Sequence, residues 1–277
     1  MRIESFGSSL NVFRLARHLF AHRGLIRQFV RREIDARYRG SLLGLLWSFL
    51  NPILLLSIYT FVFGVIFRAR WPDAGSERLS EFAVTLFCGL IVLNLFGECV
   101  GRAPGIIVGA ANYVKKVVFP LEILPVVALG CALFHALVSL SVLLAANLLV
   151  NGVFRWTLLL VPVVALPLLM LTLGLSWFLA SLGVFIRDLS HVVRLILHVL
   201  MFATPIFYPV EALPEAFRSL LYLNPLTAVV EDMRRVVLWG LLPDWPRLLV
   251  WVAVDGAVMV LGYSWFAATR RAFADVL

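Results

Sequence analysis

Six stretches of this chain are too long and too apolar to be accommodated in an ordinary soluble fold. The first, residues 45–67, runs 23 residues without an acidic or basic side chain. A helix of about 20 apolar residues crosses the hydrocarbon of a bilayer. In lipid only helices and closed barrels satisfy every backbone group, and runs of this length wind as helices. Further candidate spans fall at residues 82–100, within 123–150, within 156–186, at 192–210 and at 248–268. The expected fold is an all-α membrane protein with six transmembrane helices. The third and fourth runs exceed the hydrocarbon thickness, which predicts tilt or projection, and Pro162 and Pro167 predict a kink in the fourth.

Composition supports the same class. Apolar residues make up 62% and charged residues 14% of the chain, against about 45–50% and 25% in a soluble domain. An ordinary soluble enzyme, a disordered tail and a coiled coil are excluded. The first 41 residues are polar and arginine-rich and lack a cleavable signal pattern, so the first apolar run is expected to act as an uncleaved insertion signal. Cys88, Cys99 and Cys131 are unclustered, which predicts buried thiols and no disulfide framework.

With six spans, sixteen Lys and Arg fall on the side of the termini and eight on the other. That asymmetry predicts a multi-pass protein of the cytoplasmic (inner) membrane with both termini in the cytoplasm. The formal charge of +8 is then an orientation signal that needs no nucleic-acid partner. The expected organisation is a cytoplasmic N-terminal segment (1–44), a transmembrane domain (45–268) with an external segment at 208–246, and a cytoplasmic tail (269–277).

Two connections carry information. In residues 25–38, Leu25, Ile26, Phe29, Val30 and Ile34 share one helical side while Arg27, Arg31, Arg32 and Asp35 point elsewhere. That pattern predicts an amphipathic helix on the cytoplasmic membrane surface; a partnerless positive-inside anchor would look the same. In the external segment, pieces 215–222 and 226–239 look helical but too polar or too short to span, so re-entrant or gate helices are expected. Two packed surface helices are the plainer alternative.

Chemistry-bearing motifs are sparse. Neither lysine, Lys115 nor Lys116, lies in a Gly-Lys-Ser/Thr phosphate loop, so ATP hydrolysis by that route is excluded. His18 and His22 have metal-compatible spacing but no third ligand nearby, so no metal site is assigned. Asp255 is the one carboxylate well inside a predicted span, either a functional acid or one paired with a neighbouring helix. Tyr59, Phe63, Phe67 and Trp71 recur every four residues and form a stripe on one face. Such a stripe suits a sliding glycan or, equally, a lipid-facing aromatic belt. Phe202, Phe207 and Tyr208 are further channel candidates.

Three stretches carry a resemblance. They are the segment Arg32-Glu33-Ile34-Asp35-Ala36-Arg37-Tyr38-Arg39-Gly40-Ser41 continuing through Trp47 to Asn51-Pro52; Asn112-Tyr113-Val114-Lys115-Lys116-Val117-Val118-Phe119-Pro120; and Thr204-Pro205-Ile206-Phe207-Tyr208-Pro209 with Asn224-Pro225. Together they resemble the ABC type-2 permeases that export O-antigen, teichoic acid or capsule. The resemblance implies a homodimer, a separate cytoplasmic ATPase that binds ATP and Mg, and a lipid-linked polysaccharide substrate; this chain itself would hold no cofactor. It makes 25–38 the helix contacting the ATPase, 112–120 a coupling element and 215–239 outer gate helices. Arg27, Arg31, Arg32, Arg37, Arg39, Asn112, Lys115, Lys116 and Phe119 become candidates for contact with the lipid carrier or the ATPase, with general binding of acidic membrane lipid as the simpler role for the arginines. A permease for a drug or small lipid, and a membrane-embedded glycan or lipid transferase using Glu98, Glu122, Asp188 or Asp255, are the rival functions.

Overall fold

The computed structural model describes residue 17 and residues 19–66, 79–112, 119–152 and 154–277. Among them all regular structure is helical. The helices are α1 (Arg23–Tyr38), α2 (Trp47–Tyr59, continuing as a π-helix over Thr60–Ile66), α3 (Leu79–Gly109), α4 (Ile123–Asn151), α5 (Val161–Phe185), α6 (Leu189–Ala203), α7 (Glu215–Tyr222), α8 (Pro225–Arg234, with a π-turn over Arg235–Trp239), α9 (Trp245–Thr269) and α10 (Phe273–Val276). Five stretches are long and apolar enough to cross a membrane: Gly44–Phe63, Glu81–Gly109, Ile123–Leu149, Trp156–Phe185 and Trp245–Val276. They coincide with five of the six expected spans.

The sixth expectation, at 192–210, overruns the observed helix. α6 has 15 residues, about 22 Å at 1.5 Å per residue, and ends at Ala203. Pro205 clashes with a helical residue before it, and Thr204 is accordingly extended at φ −106°, ψ 136°. Pro162 in α5 sits in the first turn, where its missing N–H costs nothing, whereas Pro167 lies inside the helix.

α3 is the central helix: 83% of its most apolar stretch is buried, against 11% for α2. It packs on α4, α5, α6 and α8, and α9 closes onto α5. Two glycines allow backbone-to-backbone approach. A Cβ at Gly183 would lie 2.1 Å from the Pro104 carbonyl oxygen of α3, and one at Gly262 of α9 would lie 2.1 Å from the Gly174 oxygen of α5. Small residues at such crossings let helices gain close van der Waals contact where lipid offers no hydrophobic drive. Trp177 is fully buried and donates its indole N–H to the Glu122 carbonyl at 2.9 Å. Cys88, Cys99 and Cys131 are free and buried.

The short helices α7 and α8 form where expected, but α8 is no surface helix. Leu226, Val229, Val230 and Met233 are buried, and Arg234 is 0% exposed. Its guanidinium donates to the carbonyls of Thr85 (3.2 Å), Pro205 (2.8 Å) and Ile206 (3.1 Å). Asn224 caps the start of α8 by accepting the Leu226 N–H at 3.0 Å. Its amide also donates to the Ala203 carbonyl and the Thr204 hydroxyl. The break after α6 therefore orphans carbonyls that α8 satisfies, which anchors the short helices to α3 and α6.

Candidate transport crevice

A crevice of about 1260 Å³ lies between α2 and α6 on one side and α3 and α4 on the other, with the last turns of α1 in its wall. Its polarity is graded. On α3 the lining runs from Phe87 and Ile91 through Asn94 to Glu98 and Arg102; on α6 from Met201 through His198 to Arg194; on α2 from Ile58 to Asn51 and Ser48. An uncompensated charge at the centre of a spanning helix costs about 2.5–3.5 kcal/mol on insertion scales, so polar residues there face the interior or water. The α1 end of the crevice is thus polar and charged and the far end apolar.

Just beyond Ile58 and Met201 the predicted aromatic residues gather. Phe63 stacks on Phe207 with ring centroids 4.8 Å apart, Tyr59 lies 6.2 Å from Phe63 and 5.9 Å from Phe207, and Phe202 lies 6.0 Å from Phe207. A π-helix has more residues per turn than an α-helix, so Tyr59 and Phe63, four apart, stay nearly in line. The Tyr208 hydroxyl donates to the Phe202 carbonyl at 2.6 Å. Two separately predicted groups therefore form one patch joining α2 to the end of α6. Phe67 and Trp71 lie outside the described residues.

The basic candidates divide. Arg27, Arg31, Arg32 and Arg39 are exposed; Arg31 lies 3.9 Å from Asp35 and Arg32 stacks over the Phe29 ring at 4.7 Å. Arg37 alone of the five turns into the crevice, where it pairs with Glu98. The apolar side of α1 is half-buried and docks on α4: a Cβ at Gly130 would meet the Val30 side chain at 2.7 Å, so any larger residue there would have to displace Val30. Phe119 packs its ring 5.5 Å from Phe29, so the predicted coupling segment touches α1. Asn112 is exposed three residues beyond the end of α3, and Lys115 and Lys116 lie outside the described residues.

The acids each have their own setting. Glu122 is buried and accepts from Arg270 at 3.1 Å; Asp188 stands at the start of α6; Asp255 is buried, lines no part of the crevice, and neither of its carboxylate oxygens has a hydrogen-bond partner among the described residues. Glu98 pairs with His135 on α4, whose other ring nitrogen meets the Tyr38 hydroxyl of α1. Burial pushes the Tyr38 phenol up from its usual range, the opposite of an activated nucleophile. His135 was not singled out by sequence, because one histidine in an apolar run has no local signature. The usable signal was an acid in one predicted span and a histidine in the next.

Comparison with known proteins places these features in context. Residues 24–238 match the family described as ABC-2 type transporter. The chain is 35% identical over 266 residues to the O-antigen export system permease protein RfbA of Myxococcus xanthus, covering 95% of this chain and 99% of that protein. It is 26% identical over 251 residues to RfbA of Klebsiella pneumoniae (89% and 92% covered). It is 30% identical over 220 residues to the polysialic acid transport protein KpsM of Escherichia coli (77% and 81% covered).

Proposed function

The chain belongs to the ABC-2 type transporter family, and from that premise we propose that it is the membrane-spanning subunit of an ATP-driven exporter of lipid-linked cell-surface polysaccharide. The working unit is two copies of this chain and a separate ATPase, in the cytoplasmic membrane with both termini in the cytoplasm. The observation that carries this reading is the graded crevice between α2 and α6 on one side and α3 and α4 on the other, charged at the α1 end and apolar at the far end, with the aromatic patch beyond. It matches an amphiphile with a polar, charged head and an apolar tail. Aromatic faces stack on the apolar faces of sugar rings, so Tyr59, Phe63, Phe202 and Phe207 form the glycan's path out.

In this reading α1 receives the ATPase, and Phe119 against Phe29 carries its motion from the 112–120 segment. The exposed Arg27, Arg31, Arg32 and Arg39 serve the ATPase or the anionic head of the lipid carrier. α7 and α8 guard the outer mouth, pinned through Arg234 and Asn224. The α6 segment completes the membrane crossing together with the turn that follows it at residues 204–208. The test is complementation: cells lacking the gene for this chain lose surface polysaccharide and regain it with the wild-type chain plus its ATPase. Sugar transfer by the purified chain without an ATPase would overturn the reading in favour of a transferase.

A further inference from the structure

α1 meets α3 through two ion pairs that cross. Glu33 of α1 accepts from Arg102 of α3 at 3.1 Å, and Arg37 of α1 donates to Glu98 of α3. Glu33 and Arg37 are four residues apart, as are Glu98 and Arg102, so both acids and both bases lie on the facing sides of their helices. The order is reciprocal: acid then base along one helix meets base then acid along the other. A slip of one turn brings Arg37 against Arg102 or Glu33 against Glu98, and like charges facing each other are strongly disfavoured.

α4 completes the arrangement. His135 Nδ1 lies 3.0 and 2.9 Å from the two Glu98 oxygens, and its Nε2 lies 3.0 Å from the Tyr38 hydroxyl. The Cys131 thiol points at Glu33 at 3.5 Å. Glu98 and His135 are mostly covered, their side chains 19% and 17% exposed, while Arg37 is half open. The pair's strength therefore comes from the burial of Glu98 in its span, because an open ion pair contributes little. Among the described residues α1 is otherwise held by half-buried apolar side chains, the Phe29–Phe119 ring contact, the Val30–Gly130 contact and the Cys131 thiol at the Val30 carbonyl, which resist sliding weakly.

We propose that the crossed pairs Glu33–Arg102 and Arg37–Glu98, with His135 and Tyr38, are a register clamp: positioning residues that lock α1 to α3 and α4, so that displacement of α1 moves both spans. The clamp rests on the exporter reading above, in which the ATPase acts on α1. Its role is coupling; because the same side chains line the charged end of the crevice, the charge swap below, which moves each charge but restores the pairing, separates coupling from binding of the substrate head.

The experiment uses the full permease–ATPase complex and compares wild type with Arg37→Glu, Glu98→Arg, and the swap carrying both. Each single reversal puts like charges together, one of them buried, and is expected to lower export at least about tenfold while ATPase co-purification and basal ATP hydrolysis stay at wild-type levels. The swap restores the pairing and is expected to recover export to within about threefold of wild type. A milder pair, Glu33→Gln with Arg102→Gln, removes charge without reversing it. It covers the case in which a reversal prevents folding, and it too is expected to lower export with basal hydrolysis retained. The clamp is overturned if folded single reversals export normally, if the swap does no better than either single, or if basal hydrolysis and assembly fall in parallel with export. If the wild-type complex shows no ATP-dependent export, the functional reading fails first and the clamp's coupling role with it; normal wild-type export with unaffected variants sinks the clamp alone.

Discussion

Gly262→Ala tests the crossing of α9 on α5. The added methyl carbon would lie 2.1 Å from the Gly174 carbonyl oxygen and 2.7 Å from its carbon. Both obstacles are backbone atoms, so no side chain can rotate aside. Ordinary contact requires α5 and α9 to part by more than about 1 Å, and a radial gap of about 0.5–1 Å already forfeits a quarter to a half of each contact's dispersion energy. Overpacking of this kind costs about 1–3 kcal/mol, and an immovable neighbour puts this site near the upper end. The control is on the same helix. A Cβ at Gly256 meets only the Met170 sulfur at 3.7 Å, so Gly256→Ala is expected to be neutral or to stabilise by about 0.4–1 kcal/mol through the unfolded chain. The assay is the melting temperature of both variants in one detergent and in lipid nanodiscs. Equal melting of Gly262→Ala and Gly256→Ala would refute the close crossing.

Other outcomes follow from the same contacts. Arg234→Met strips the donor from three carbonyls; at about 1–3 kcal/mol for each buried acceptor left unpaired, it is expected to destabilise by at least about 3 kcal/mol and to open the Val210–Trp239 region to protease, and normal protease resistance would contradict the anchoring role. Trp177→Phe keeps most of the packing and loses one hydrogen bond to the Glu122 carbonyl, so a loss of about 1 kcal/mol in thermal unfolding is expected. Tyr59→Ala with Phe63→Ala removes half of the aromatic patch and is expected to cut surface glycan while assembly with the ATPase persists; wild-type glycan levels would make the patch packing only.

The spans were readable because a long apolar run has one low-energy arrangement in lipid, and residues 45–67 say so without help from the rest of the chain. The end of α6 was only half readable: Pro205 disfavours a helical Thr204, but Pro167 lies inside α5 all the same, and apolarity alone carries the expectation through to Val210. The crevice was not readable. Asn94, Glu98 and Arg102 look in sequence like interruptions near the end of a span, and their meaning depends on Arg37, Glu33 and His135 in other helices. Arg234 counts in sequence as one more outer cation. It is buried because the break at Pro205 leaves carbonyls that need a donor, a condition no local window records. The aromatic candidates stood between these cases: the spacing of Tyr59 and Phe63 was visible, but their meeting with Phe202 and Phe207 required the turn after α6.

The most direct measurement reconstitutes the purified chain with its ATPase in vesicles loaded on one leaflet with lipid-linked polysaccharide and follows glycan on the opposite side. The account predicts that glycan appears there only when this chain, the ATPase and ATP are all present. Glycan crossing without ATP hydrolysis, or a complex that hydrolyses ATP yet moves no glycan, would contradict it.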